Sequence, residues 1–246
     1  MGQKIIPIML LLVLLLTACN SGNTKDKADD TALADSVVAP SDSMLYGLAC
    51  EGSTDSVLVF LPGEGGDPVE YDMSSAKRNN MVLGYPQTGD FIAIIPDGAD
   101  RKKVSMVIDI DQLKGTWLRK VRPEIDASYE EMLRKRETPQ SADSILSSML
   151  VEREYGFSLK RQNVAEYAGV IVDEKPQTEE SPVKYPESVM YSEWRIENGK
   201  LILTSSTLAD EKHPAIVKRD TASILLLMKD SLVLMINNEQ KAYYRK

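Results

Sequence analysis

Cysteine and histidine are scarce in this chain of 246 residues, which has two cysteines and one histidine. A zinc site built from these residue types takes about four ligands, so one copy of the chain cannot supply it. A serine or cysteine nucleophile with an imidazole base would have to use His213. That histidine stands in a polar segment before Pro214, which is typical of an exposed loop. The sequence therefore indicates a protein without enzymatic activity, a cofactor or a metal site.

Positive charge and aromatic side chains are also limited. The chain has 29 lysines and arginines against 37 aspartates and glutamates, for a net charge of -8. A chain this acidic, with no basic cluster, is poorly suited to bind nucleic acid. Aromatic residues make up 6% of the chain, which argues against glycan binding by ring stacking. The hydrophobic content of 43% is ordinary for a folded globular protein.

An apolar run over residues 5–18 follows Lys4 at the amino terminus. This run is shorter than the ~20 residues that a membrane-spanning helix needs, and it suits the core of a signal peptide. It ends in Leu16-Thr17-Ala18-Cys19, which resembles the lipobox of bacterial lipoproteins. The resemblance implies that residues 1–18 are a lipoprotein signal peptide and that Cys19 is the lipidation site. The alternative is an ordinary secretory signal with a chance cysteine.

Residues 19–43 are polar, with almost no large apolar side chains, and we expect them to form a disordered tether. Asn20 differs from the aspartate that resembles an inner-membrane retention signal in many lipoproteins. We therefore expect a lipid-anchored protein of the cell envelope at the outer membrane, on either its periplasmic or its surface side. After lipidation of Cys19 the sole free thiol is Cys50, so no intramolecular disulfide is expected.

Residues 44–112 contain short strand patterns separated by glycine and proline turns. This spacing predicts a small antiparallel β barrel or sandwich. The loop at residues 63–66 is glycine-rich, but Asp67 and Pro68 follow it where a phosphate-binding loop has lysine and serine or threonine. Asp109 and Asp111 have the spacing that places both on one face of a strand. We interpret that face as solvated rather than catalytic.

Gly115-Thr116-Trp117 begins the second part of the chain and is similar to the Gly-x-Trp opening of a lipocalin-like barrel. Further segments follow in the order that such barrels have, at residues 156–159, 191–194, 198–204, 224–227, 230–234 and 243–245. Through these segments, residues 113–246 resemble bacterial envelope lipoproteins with a C-terminal lipocalin-like (calycin) domain. The resemblance implies a mainly β chain whose second part is a lipocalin-like antiparallel barrel. The chain lacks a clear Thr-Asp-Tyr motif, which many lipocalins have.

Alternation of apolar and polar residues also supports a series of paired strands. Apolar and small residues occupy every second position from Met190 to Ile196. Asn198-Gly199 is a strong hairpin signal, because a type I′ turn needs positive φ at both positions. We predict that six residues line the barrel interior: Met190, Trp194, Leu201, Leu203, Leu232 and Leu234. The same residues would equally make a filled core, since eight strands enclose little more than their own side chains.

The lipocalin resemblance also implies a pair of residues that closes one end of the barrel. In lipocalins the tryptophan of the Gly-x-Trp motif plugs that end, and an arginine from the last strand stacks over it. Trp117 and Arg245 occupy the matching positions here. Such a cation–π contact is worth ~0.5–2 kcal/mol.

Residues 125–154 form an insert with two helical patterns. The first covers residues 125–137, Pro139 interrupts the pattern, and Ser141 is expected to cap the second. One interpretation is a lid across the mouth of the barrel. The other is a helical pair that covers an open barrel end or packs against the N-terminal unit.

Two functions remain open from the sequence. The first is non-enzymatic binding of a small apolar or amphipathic ligand inside the barrel. The second is a structural or interaction lipoprotein that docks a protein partner in an envelope complex. An enzyme is the weakest hypothesis, because no combination of nucleophile and base is visible.

Overall fold

Within the part of the chain that the structure describes, the strands form two large sheets that follow one another along the chain, and a small two-stranded sheet. The structure is a computed structural model, and it describes residues 42–169, 181–186, 188–206 and 217–246. The predicted signal peptide, Cys19, nearly the whole tether and His213 lie outside these residues. All described residues belong to one compact unit.

The first sheet has six short strands, and two short helices lie in the same part of the chain. In chain order the elements are β1 (Leu45–Ala49), β2 (Val57–Pro62), β3 (Val69–Asp72), α1 (Ser74–Arg78), β4 (Val82–Leu83), β5 (Phe91–Pro96), β6 (Val104–Asp109) and α2 (Ile110–Leu113). The strand order is β3-β2-β1-β5-β6-β4. Neighbouring strands are antiparallel except β4 and β6, which are parallel. The chain reverses direction twice between these two strands, so they run the same way.

The first sheet curls until its β3 edge meets the start of β6. Asp72 forms a bridge with Lys103, and its backbone N–H donates to the Lys102 carbonyl at 2.8 Å. This contact gives the sheet the form of a small barrel. Its interior is a cluster of buried apolar side chains, among them Leu58, Phe60, Ile92, Ile94, Val104 and Val107.

In the second part of the chain Arg161–Asn163 form a short 3-10 helix, and the other described elements are ten strands and two α-helices. In chain order they are β7 (Gly115–Val121), β8 (Glu124–Ile125), α3 (Ala127–Arg136), α4 (Pro139–Met149), β9 (Arg153–Leu159), β10 (Ala165–Gly169), β11 (Val183–Lys184), β12 (Glu193–Glu197), β13 (Lys200–Ser206), β14 (Val217–Leu227), β15 (Ser231–Ile236) and β16 (Glu239–Arg245). Eight of these strands form one sheet in the order β10-β9-β7-β16-β15-β14-β13-β12. Every neighbouring pair in it is antiparallel.

The two edges of the eight-stranded sheet approach each other and nearly close a barrel. Val164 forms an antiparallel bridge with Glu193, and the Ala165 N–H donates to the Ser192 carbonyl at 2.9 Å. The fold class predicted from the sequence is confirmed in its architecture: a mainly β protein with a small first barrel, followed by a nearly closed antiparallel barrel that carries a two-helix insert.

Asparagine turns set the register of two hairpins in the barrel. Asn198 and Gly199 have φ values of 48° and 73°, and they join Glu197 to its partner Lys200. The predicted turn is therefore confirmed. Asn237 and Asn238 have φ values of 52° and 64° between β15 and β16. Asparagine tolerates this left-handed conformation better than most residues, which explains its use at both turns.

Helices α3 and α4 lie between β7 and β9, within the predicted insert. The N-cap of α4 is Thr138, whose hydroxyl accepts from the Ser141 N–H at 3.3 Å, so the expectation that Ser141 caps this helix was wrong. Pro139 occupies the first turn of α4, where its missing N–H costs nothing. The two helices bury a small apolar cluster of their own around Leu133, Ala142 and Leu146.

One apolar core extends from the barrel into the first sheet. Barrel residues share a buried cluster with residues from the first part of the chain: Met44, Leu83, Ala93, Ile108, Ile110 and Leu113. Along β5, Ile92 and Ile94 face the small barrel, while Ala93 between them faces the shared core. The predicted domain boundary between residues 112 and 113 falls at the end of α2, beside this core. The division into two domains stays a prediction.

The first sheet packs against one end of the barrel, which we name the closed end. The Tyr46 hydroxyl donates to the Ile196 carbonyl at 2.9 Å, beside the turn from β12 to β13. The Gly84 N–H donates to the Leu227 carbonyl at the end of β14 at 3.2 Å. The opposite end, where β7 leads into the insert, is named the mouth.

Candidate functional site

Five of the six residues predicted for the barrel interior are deeply buried. Leu201, Leu203, Leu232 and Leu234 are fully buried, and Trp194 is 5% exposed. Trp194 is the cross-strand partner of Leu203, so the two share a face of the sheet. These residues fill the interior near the closed end.

Met190 does not line the interior, and its prediction was wrong. Its side chain is 64% exposed. The pleated strand β12 begins only at Glu193, so the alternation that placed Met190 beside Trp194 does not extend back to it.

Trp117 and Arg245 lie together at the closed end. Trp117 is fully buried, and its indole Nε1 donates to the Leu113 carbonyl at 2.8 Å. The guanidinium carbon of Arg245 is 4.2 Å from the centre of the Trp117 ring. The two residues are also cross-strand partners in β7 and β16.

The Arg245 guanidinium binds carbonyl oxygens from two separate segments of the chain. Nη1 donates to the Lys114 carbonyl at 2.8 Å, Nη2 donates to the Gln112 carbonyl, and Nε donates to the Lys229 carbonyl at 2.5 Å. Gly115 has a φ of 137°, and a Cβ at this position would lie 2.2 Å from Arg245 Nη1. The glycine of the Gly-x-Trp segment is therefore needed to admit the arginine.

Asp109 and Asp111 do not share a solvated strand face, and that interpretation was wrong. Strand β6 ends at Asp109, which is 1% exposed and caps α2 by accepting from the Gln112 N–H at 2.8 Å. Burial raises the pKa of Asp109 to about 6. Asp111 lies on the helix instead, where it accepts from the Phe91 N–H at 2.7 Å and binds Lys114 at 2.5 Å. The carboxylates serve the junction between the two sheets.

The interior becomes polar toward the mouth, where we define the upper lining as Arg119, Tyr155, Tyr167, Lys241 and Tyr243. Cross-strand register places these residues on the interior face, because partners share a face. Tyr167 pairs with Phe157 and Lys241 with Leu234, and both apolar partners belong to the buried core. Arg119 pairs with Tyr155 one step nearer the mouth than the Trp117–Phe157 pair.

The upper lining is graded in exposure. Tyr243 is 9% exposed, and its ring centre lies 5.1 Å from that of Phe157. Burial raises the pKa of Tyr243, while the nearby charge of Arg119 lowers it. Arg119, Tyr155 and Tyr167 are half-buried. The interior therefore changes from filled hydrocarbon at the closed end to phenol and cationic groups nearer the mouth.

A tyrosine–aspartate pair adds to the polar part of the interior. Asp220 is 5% exposed and shares the interior face with its cross-strand partner Leu203. The Tyr191 hydroxyl donates to Asp220 Oδ2 at 2.7 Å. Burial, followed by the hydrogen bond to Asp220, raises the pKa of Tyr191.

Sequence reasoning missed the upper lining because it selected only apolar residues for the interior. The available signal was the position of each residue along its strand relative to a residue already assigned to the interior. Arg119 stands two positions after Trp117, and Tyr155 stands two positions before Phe157. Side chains two apart on a strand share a face.

The described residues include no group of three or more histidine, cysteine, aspartate or glutamate side chains that could hold a metal ion. Within the same part of the chain, no helix is long and apolar enough to cross a membrane.

Comparison with known proteins gives a partial match to one family. Residues 185–246 match the profile of the lipocalin-like family. A solved lipocalin-like protein from Bacteroides thetaiotaomicron VPI-5482 is 19% identical, covers 55% of this chain and 96% of its own, and superposes with a TM-score of 0.29. No curated protein matches the chain.

Proposed function

We propose that the protein is a lipid-anchored lipoprotein of the cell envelope that binds a small amphipathic ligand in its barrel. The graded interior is the observation that supports ligand binding. The apolar groups near the closed end suit the hydrocarbon part of a ligand, and the phenol and cationic groups of the upper lining suit a polar or anionic head. Ligand sites of this kind combine an apolar lining with a few placed polar groups.

Native mass spectrometry of protein purified from its own membranes tests this proposal. We expect a defined small molecule to co-purify and to be removed by lipid extraction. Arg119→Met should lower its occupancy, because Arg119 is on the interior face. Lys120→Met is the matched control, since Lys120 is the next residue of β7 and is exposed.

Two results would count against a barrel ligand. One is empty protein in repeated preparations from native membranes. The other is an equal loss of the co-purified molecule in Arg119→Met and Lys120→Met, which would place it outside the barrel.

The proposed anchor at Cys19 has its own test. Membrane-extracted protein should lack residues 1–18 and show added acyl mass, and Cys19→Ser should release the protein from the membrane. An unmodified soluble amino terminus would contradict the anchor without affecting the barrel proposal.

Docking of an envelope protein is the second candidate function, and exposed apolar residues of the insert favour it. Met132 is 41% exposed, Leu150 is 43% exposed and Val151 is 59% exposed. Cross-linking in native membranes would distinguish the two functions. Loss of one specific cross-linked partner in a variant with Met132→Ser and Val151→Ser would support docking.

A further inference from the structure

A pocket of about 390 Å³ lies between the first sheet and the closed end of the barrel, and it shares Trp194 with the barrel interior. Its floor includes two aromatic rings of the first sheet. Tyr46 and Phe91 are stacked there, with ring centres 6.5 Å apart and an angle of 19° between their planes. The turn at residues 160–163, which joins β9 to β10, also lines the pocket. The two rings give a flat apolar group a surface to pack against.

The charged residues that line this pocket are all basic. Lys114, Lys160, Arg161 and Arg195 line it, and no acidic side chain does, in a chain whose net charge is -8. Three of these cations have an anionic partner nearby: Asp111 for Lys114, Glu166 for Lys160 and Glu197 for Arg195.

Arg161 differs from the other three cations, because its guanidinium remains available to bind an anion. Within the described part of the chain its guanidinium forms no ion pair, although its charge lowers the pKa of Asp111. Lys114 Nζ lies 6.0 Å from the centre of the Phe91 ring, so positive charge borders the aromatic floor.

The wall that presents Arg161 is held in an uncommon backbone conformation. Gln162 has a φ of 58°, in the left-handed region that residues other than glycine and asparagine seldom occupy, and Asn163 follows it with a φ of 63°. The turn is fixed at its start, where the Lys160 carbonyl accepts from Trp194 Nε1 at 2.8 Å and the Lys160 N–H donates to the Val164 carbonyl at 2.8 Å. Backbone strain that is kept in place by surrounding contacts is common at ligand sites.

We propose that this pocket binds a small organic anion that has a flat apolar ring and one carboxylate, phosphate or sulfonate group. The ring lies against Tyr46 and Phe91, and the anionic group lies between Lys114 and Arg161. None of its cations belongs to the upper lining, so the site can be tested independently of a barrel ligand.

Two fluorescent probes with the same ring system test the proposal on the mature protein. Anilinonaphthalene sulfonate has the anionic group, and phenylnaphthylamine lacks it. Loss of one charge-assisted hydrogen bond in Arg161→Gln should weaken sulfonate binding about tenfold. Binding of the neutral probe should change less than about twofold, since the aromatic floor is intact. Arg161→Lys should restore part of the affinity.

Arg101→Gln is the matched control, because it removes the same charge outside the pocket. Arg101 is exposed in the turn before β6. An equal effect of Arg161→Gln and Arg101→Gln would overturn the proposal, as would the absence of saturable sulfonate binding. If Arg119→Met alone weakened sulfonate binding, the probe would occupy the barrel, and the pocket proposal would fail while the barrel proposal stood. A selective loss in Arg161→Gln supports the pocket whatever the barrel binds.

Discussion

At the scale of single residues, Arg245 joins three separate places in the chain through one guanidinium group. It stacks on Trp117 of β7, binds the carbonyls that end α2 and start β7, and binds Lys229 between β14 and β15. Hydrogen bonds from a charged group contribute ~1.5–3 kcal/mol each at most, and exposure reduces that value. The position of Arg245 beside the chain terminus therefore does not make it dispensable.

Arg245→Ala should lower the free energy of unfolding by about 2–3 kcal/mol, because it removes the cation–π contact and leaves carbonyls without donors. Urea unfolding followed by tryptophan fluorescence measures this change. Arg245→Lys should recover only part of it, since lysine has no planar fork. Lys246→Ala is the control, because Lys246 is exposed. Equal stability of Arg245→Ala and wild type would show that the pair does not close the barrel.

Asp109 should make the protein less stable as the pH rises. Burial raises its pKa in the folded state from 3.8 to about 6. Between these values the folded state binds more protons than the unfolded state, so stability falls with rising pH and the full penalty is present above pH ~6. Asparagine keeps the N-cap without the charge. Asp109→Asn should therefore gain stability relative to wild type, by up to about 3 kcal/mol, between pH 4 and pH 7.

Asp111→Asn is the matched control for this pH dependence. Burial acts to raise the pKa of Asp111, but hydrogen bonds from Lys114 and from the Phe91 N–H outweigh it, and the pKa is lowered. Asp111 therefore stabilises the folded state above its unfolded pKa, and its replacement should cost more as pH rises. Urea unfolding at pH 4, 5.5 and 7 compares the two variants. The same trend in both would contradict the assigned role of Asp109.

Residue patterns selected five residues that are buried in the barrel, but they selected Met190 wrongly and none of the polar residues on the same face. Leu201 and Leu203 stand two positions apart on β13, and Leu232 and Leu234 stand two positions apart on β15, so each pair shares one face of its strand. Asp109 could not be placed in this way, because local sequence does not reveal that β6 stops there and turns into a helix. To predict the upper lining, one must know which face of each of several strands points inward. That is known only once the strands are paired.

At the scale of elements, the insert and the barrel strands differ in how closely they are tied to the core. Helices α3 and α4 bury Leu133, Ala142 and Leu146 against each other, in a cluster separate from the barrel core. Residues Val121 and Arg153, which flank the insert, are cross-strand partners. A short connection can therefore replace the helices without straining β7 or β9. The presence of two helices was predictable from their patterns, whereas their separation from the core was not.

Replacement of residues 127–149 by a short glycine–serine linker should change the free energy of unfolding of the barrel by less than about 1 kcal/mol, since loop length affects closure entropy weakly. Both tryptophans lie in barrel strands and report the transition. Gly156→Ala is the contrasting variant, because its Cβ would lie 1.8 Å from the Trp117 carbonyl. It should destabilise by more than about 2 kcal/mol. Loss of the tryptophan transition in the linker variant would show that the helices support the barrel.

At the scale of the whole molecule, the two sheets share buried residues as well as a connecting helix. Ala93, Ile108 and Leu113 are fully buried in the same cluster as the barrel leucines. If the first sheet separated from the barrel, these side chains and the closed end would be exposed to water. Sequence reasoning assigned the strand patterns to two separate stretches of the chain, but local patterns could not show that β5 has one face in each core.

The shared core should make the two sheets unfold as one cooperative unit. Hydrogen exchange measured by mass spectrometry at several urea concentrations tests this expectation, because amides that open together have one free energy of opening. Peptides from β5 and from β13 and β15 should converge on the same value, since each contributes fully buried residues. Peptides from α3 and α4 should open at a lower free energy, because their cluster is small and separate. A lower opening energy for β5 than for β13, with the barrel still protected, would establish two independent domains and restore the boundary near residue 112.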